Sequence, residues 1–153
     1  MLKPNERLLE FELTRVFAAP RAVLWQNWLD PEAVADWFAA DGYRVTDAKL
    51  DPRVGGHWRV DFASDTAGTY YEHGTYTELA EPERLGFTMT QTFPGQSTPE
   101  MQVTVTLRDL GDRTELTFHQ TGFASLAHRD GMQEGWGECL DKLAAHIAAR
   151  AGT

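Results

Sequence analysis

Between Tyr43 and Gln120 apolar side chains recur at every second position in one stretch after another, and from Met132 to Ile147 they recur every third or fourth position along a single stripe. The first period is that of a strand with one buried face, and the second is that of an amphipathic helix. No other feature narrows the fold as much. The period-two stretches run from Tyr43 to Leu50, through Trp58, Val60 and Phe62, from Tyr70 to Leu79, through Leu85, Phe87 and Met89, through Met101, Val103, Val105 and Leu107, and through Leu116 and Phe118. Turn residues separate them at Asp51-Pro52, Ser64 to Gly68, Glu81-Pro82, Phe93 to Pro99 and Leu110 to Asp112. Links this short cannot hold the crossover of a dozen or more residues that parallel neighbours need, so the pattern predicts an antiparallel meander.

One more strand precedes the meander, with Leu9, Phe11 and Leu13 alternating with Glu10, Glu12 and Thr14. Two short helices are predicted after it. Pro20 opens the first, where its missing N–H costs nothing, and Val23, Leu24 and Trp28 mark the buried side. Asp30 caps the second with Pro31 in its first turn, Val34, Trp37 and Phe38 turn inward, and Asp41-Gly42 ends it. The closing helix carries Met132, Trp136, Leu140, Leu143 and Ile147 on one face, with Glu134, Glu138, Asp141 and Lys142 on the other. Its early turns hold Gly131, Gly135 and Gly137. Each costs about 1 kcal/mol relative to alanine in a helix interior. Either the glycines admit a strand or a bound molecule at close range, or the helix starts later and frays there.

The fold class is therefore α+β: a curved antiparallel sheet of seven strands wrapped around a long C-terminal helix, with two short helices after the first strand. Such a sheet hides its one apolar face only by curling around the helix. A curved sheet and a straight rod leave a gap, and a gap with apolar walls and a few polar groups has the character of a small-molecule site. At 153 residues, 42% of them hydrophobic, the chain is expected to form one domain over 1–153 with an ordered core over about 8–149.

The formal charge of −9 would repel a phosphate backbone or an anionic membrane, so neither nucleic acid nor membrane is an expected partner. No apolar run approaches the ~18 residues of a membrane span, and Met1 to Glu10 lack the apolar core of a secretory signal. A lone cysteine, Cys139, closes no intrachain disulfide and suits a reducing compartment; the chain reads as cytoplasmic. No cofactor is expected. The five histidines, His57, His73, His119, His128 and His146, include no pair at ligand spacing on one element, so no metal site is expected. Gly95-Gln96-Ser97-Thr98-Pro99 lacks the second glycine of a nucleophile elbow, and no glycine-rich phosphate loop occurs.

The order of elements resembles the helix-grip fold of the START-like (SRPBCC) superfamily, which includes the birch-pollen-allergen-like proteins and aromatase/cyclases. The run from Arg15 to Trp25, with Asp30-Pro31-Glu32 and Asp36-Trp37-Phe38, resembles the opening of the activator of heat-shock protein 90 ATPase homologue family. Gly55-Gly56-His57-Trp58, Gly74 to Leu79 with Glu81 to Leu85, and Gly135-Trp136 leading to Cys139 through Leu143 extend the likeness over nearly the whole chain, from about Leu8 to Ala149. The resemblance implies the fold. For activity it implies chaperone activation, binding of lipids or polyketides, or cyclase-like chemistry.

The residues expected around the cavity are Trp58, Val60, Phe62, Tyr76, Phe87, Met89, Met101, Val103, Val105, Phe118, Gln120, Met132, Trp136 and Leu140. The large rings facing a glycine-bearing helix suggest a slot for a flat apolar guest, the methionines give adaptable walls, and Gln120 can offer an amide at the mouth. Trp25, Trp28 and Trp37 are expected to close one end. If Tyr76 points inward, alternation carries Glu72 in and His73 out, where a carboxyl could orient a ligand or act as a base. The more economical expectation is that a bulge turns Glu72 to solvent or that Arg59 pairs with it, because buried acids are rare unless paired. Cys139 reads as a small buried hydrophobe. Non-catalytic binding of a hydrophobic or aromatic small molecule leads. A cofactor-free cyclase or hydrolase with Glu72 as base is the second reading, and a module contacting a chaperone through the acidic surface the third. A homodimer is compatible with all three.

Overall fold

Each period-two stretch has one apolar face to hide and a short link to the next, so neighbours pair back to back. The computed structural model describes residues 9–151. Its elements are β1 (Glu10–Phe17), α1 (Arg21–Leu29), α2 (Pro31–Trp37), β2 (Arg44–Leu50), β3 (His57–Ser64), β4 (Gly68–Ala80), β5 (Arg84–Phe93), β6 (Gln96–Ser97), β7 (Met101–Asp109), β8 (Thr114–Thr121) and α3 (Leu126–Ala151). The polar lead Met1 to Arg7 and the expected start of the core at Leu8 lie outside the described residues.

The sheet runs β1-β8-β7-β5-β4-β3-β2 with every neighbouring pair antiparallel. The seven expected strands form this path. An eighth, β6, pairs Thr92 with Ser97 in the stretch expected to be turn alone. Register shifts between Val45 and Asp47 and between Tyr76 and Glu78 sharpen the local twist and help the sheet curl. Close packing of β3 on β4 depends on Gly74. A Cβ there would stand 1.8 Å from the Thr88 carbonyl oxygen and 2.8 Å from the Trp58 indole nitrogen. Without it, the indole crosses β4 and donates to Thr88 O at 3.1 Å.

The helix α3 lies in the hollow with Trp136, Leu140, Leu143 and Ile147 buried, joined by Cys139 and His146. It is helical from Leu126, ahead of all three glycines, so the late-start reading fails. Nor is its polar side uniformly exposed. Glu138, Lys142 and His146 step by four along a second stripe that grips the chain leaving α2. Glu138 Oε1 accepts from the Asp41 N–H at 3.0 Å, Lys142 Nζ donates to Ala39 O at 2.6 Å, and His146 Nδ1 meets Asp36 Oδ2.

Asp30 caps α2 as expected, accepting from the Glu32 N–H at 3.0 Å. The tryptophans above it do something the sequence reading did not anticipate. Instead of closing one end, Trp28 stacks on Phe118 and Trp136, with ring centroids 6.3 and 6.0 Å away, and Trp37 is wholly buried with its indole donating to Asn27 O at 2.9 Å. Indole rings reach from the short helices to the floor of the hollow, so its centre is solid.

Candidate functional site

Space remains at one end of the hollow, where β4 and β5 pass the first turns of α3. The cavity measures about 220 Å³. Strand register builds its floor: Glu72 faces Gln91 across β4 and β5, and Phe62 faces Tyr70 across β3 and β4. Tyr70 is sandwiched between Phe62 and Phe93 at centroid distances of 4.7 and 5.0 Å, and Tyr43 meets it edge-on at 5.3 Å. Phe38, Ala40 and Tyr43 supply one wall; Gly131, Met132, Gly135, Trp136 and Cys139 of α3 supply the other.

Glu72 is the polar centre of this site. Alternation from Tyr76 carries it inward, and neither a bulge nor Arg59 draws it away, contrary to the more economical expectation. Arg59 instead pairs with Asp61 at 2.9 Å and lies 3.7 Å from the Tyr71 ring centre. Glu72 is 5% exposed. Its Oε2 accepts from Gln91 Nε2 at 2.9 Å, while Oε1 takes no hydrogen bond from any described residue. The Gln91 amide is held on both sides, because its Oε1 accepts from His128 Nε2 at 3.1 Å. Burial pushes the Glu72 carboxyl up to about 7, against the opposing pull of the Gln91 hydrogen bond. The acid and its anion are therefore both accessible near neutral pH. Burial also lowers the proton affinity of His128, and it raises the pKa of the Cys139 thiol and the Tyr70 phenol, each further raised by Glu72.

Of the fourteen residues expected to line a cavity, the structure places Met132 and Trp136 on this one, together with Glu72, the separate candidate base. Phe62 stacks behind Tyr70. Trp58, Val60, Tyr76 and Phe87 border a separate void of about 20 Å³, room for roughly one water. Met89, Met101, Val103, Val105, Phe118 and Leu140 are packed into the core. Gln120 is not at a mouth at all. It is fully buried, its amide nitrogen directed at the sulfurs of Met101 and Met89 at 3.4 and 3.6 Å, and its Oε1 is unpaired among the described residues.

The helix glycines divide by direction. A Cβ at Gly131 would meet nothing within 4 Å, one at Gly135 would touch Ala40 Cβ at 3.5 Å, and one at Gly137 would touch Arg15 Nη2 at 3.5 Å. No neighbouring side chain or strand requires their smallness. Gly131 and Gly135 are part of the cavity lining, and Gly137 is not.

Gln91, Phe93, Tyr70, Tyr43 and His128 were missed. Gln91 and Phe93 continue the alternation of Leu85, Phe87 and Met89, and carrying that period two steps further would have found them. His128 lies four residues before Met132, on the same helix face. Tyr43 gives no such signal, since the grip of α3 on residues 36–41 brings it there. Among the described residues no group of three or more His, Cys, Asp or Glu is placed to hold a metal ion. Among the described residues no helix is long and apolar enough to cross a membrane.

The chain is similar in structure to a protein from Chromobacterium violaceum, 30% identical over 90% of this chain and 95% of the other, with a TM-score of 0.79. A protein from Rhodobacter sphaeroides is 25% identical, covering 93% and 94% of the two chains at a TM-score of 0.76. The AHSA1 protein from Silicibacter pomeroyi shares the fold at 23% identity and a TM-score of 0.82, over 92% of this chain and 99% of that one. No curated protein matches the sequence. Residues 18–148, from just after β1 to the last turns of α3, match the family described as activator of Hsp90 ATPase homolog 1-like protein, and with most of its length matched the chain belongs to that family.

Proposed function

We propose that the protein binds a small hydrophobic or aromatic molecule, without transforming it, in the cavity between β4, β5 and α3. The observation that carries this reading is the meeting of apolar walls, two helix glycines in the lining and a buried carboxyl with one oxygen that no described residue hydrogen-bonds. Such a mixture of apolar walls and one convergent polar group is that of a ligand site. The volume suits one ring with a short substituent; a longer guest would extend beyond the lining residues. The fold and family are compatible with this role. The lone buried thiol accords with a reducing, cytoplasmic setting.

A thermal-shift and native mass-spectrometry screen of one-ring compounds tests the reading. A ligand at a hundred times its Kd adds about 2.7 kcal/mol, or roughly 5–10 °C for a chain of this size. A screen of such compounds that moves neither melting nor mass at millimolar concentration refutes it. One observation favours a second reading: a carboxyl whose proton affinity lies near neutrality is suited to general-base work. In that case Glu72→Gln would abolish turnover of a bound compound while the compound still bound. A chaperone contact through the acidic surface is a separate proposal, tested by stimulation of a chaperone ATPase with the purified chain.

A further inference from the structure

Resting on the ligand-binding reading, we propose that the guest of this cavity is a compact organic cation, a one-ring or short alkyl body whose ammonium group lies against the carboxylate of Glu72. The argument begins with what surrounds that carboxyl. From β5 it meets the Gln91 amide, and from its own strand the Tyr70 phenol; α3 presents the Cys139 thiol and, beyond Gln91, the uncharged-leaning His128 imidazole, and the segment after α2 presents Tyr43. None of these is a base that could neutralise it. The charges that act on the neighbouring Cys139 thiol, besides Glu72 itself, are Glu138, Asp41 and Lys142, two acids against one base. The ammonium of Lys142 is already directed at Ala39 O at 2.6 Å and Asp41 at 3.6 Å.

A carboxyl 95% removed from solvent, with one oxygen satisfied and the other facing an opening, is a site whose missing partner is a cation. The walls favour the same charge. Phe38, Tyr43, Tyr70, Phe93 and Trp136 line the site; an open ring face attracts an ammonium group through its quadrupole, whereas Tyr70, stacked between Phe62 and Phe93, brings its hydroxyl and not a face. The phenol oxygens of Tyr43 and Tyr70 accept and donate no hydrogen bond among the described residues, which leaves them free to approach an ammonium head. The net charge of −9 would also draw a cation toward the surface and repel an anion.

The test compares phenyltrimethylammonium with tert-butylbenzene, which match in shape and differ in charge, by NMR titration of the full chain. Because the quaternary nitrogen does not titrate, any pH dependence belongs to the protein. At pH 8 the cation is expected to bind at least tenfold more tightly than the hydrocarbon. That preference should shrink as the pH falls through about 7 and Glu72 takes up its proton. In Glu72→Gln, checked for an intact melting transition, the preference should fall to within about twofold of unity at every pH. Equal binding of the two probes by the natural chain overturns the inference and leaves small-molecule binding standing. So does a preference that neither acid nor Glu72→Gln alters. Failure of both probes to bind at millimolar concentration overturns the inference and the cavity's role together. Should acetophenone bind more tightly in acid than either probe, Glu72 serves as a neutral donor to a carbonyl and the cation is the wrong guest.

Discussion

Replacing the three helix glycines by alanine, one at a time, separates the cost of the cavity from its use. Each glycine lowers helix stability by about 1 kcal/mol relative to alanine, and none is protected by a steric need, since the nearest atoms to an added Cβ lie at 3.5 Å or beyond 4 Å. All three substitutions should therefore stabilise the fold by about 0.5–1 kcal/mol, raising the melting temperature by roughly 1–4 °C in calorimetry. Their effects on binding should diverge. Gly131 and Gly135 line the 220 Å³ cavity, where an added methyl would take up room, whereas at Gly137 it meets the guanidinium of Arg15 away from that lining. Overfilling a packed site by one carbon costs about 1–3 kcal/mol. Gly135→Ala should accordingly weaken a one-ring ligand at least fivefold by isothermal titration, and Gly131→Ala should act in the same direction. Gly137→Ala should leave the affinity within twofold. Should Gly137→Ala weaken binding as much as Gly135→Ala, or should all three lower the melting temperature, the assignment of the two glycines to the cavity is refuted.

Other outcomes follow from the same geometry. Glu72 has a proton affinity raised from the ordinary 4.5 to about 7, so the folded state holds a proton that the unfolded chain releases. Its contribution is fully present below pH 4.5 and is lost as the pH rises through 7, a change of about 3 kcal/mol. Urea melts from pH 4 to 8 should show that decline in the natural chain relative to Glu72→Gln, and parallel curves would contradict it. Cys139 is buried and its thiol pKa is raised, so at pH 8 it should react with an aromatic disulfide at least a hundredfold more slowly than in denaturant. Trp37→Ala removes a wholly buried ring and its hydrogen bond to Asn27 O, and should destabilise by about 3–5 kcal/mol in denaturant unfolding.

The strands and helices were legible because their signals are local. Period two from Trp58 to Phe62 and from Met101 to Leu107, and steps of three and four from Trp136 to Ile147, select the face that each element hides, and the short links between them select antiparallel neighbours. Asp30-Pro31 likewise announces a helix start through chemistry confined to one turn. Whether a hidden face meets another side chain or an open space is not local. Phe118, Val103 and Leu140 look in the sequence like cavity walls, but all three are packed in the core, and Trp28 comes from α1 to stack on Phe118. The cavity survives where the rings around it leave space, and Tyr43 is brought to it by the hydrogen bonds that tie Asp41 to Glu138 and Ala39 to Lys142, 97 and 103 residues apart along the chain. Glu72 shows the division within one residue. Alternation from Tyr76 directs it inward, yet only the assembled sheet and helix decide that Gln91 binds one of its oxygens and that no described basic side chain comes to the other. Periodicity acts between residues a few positions apart, whereas a void is the difference between volumes contributed by distant segments, and that difference exists only once they are packed together.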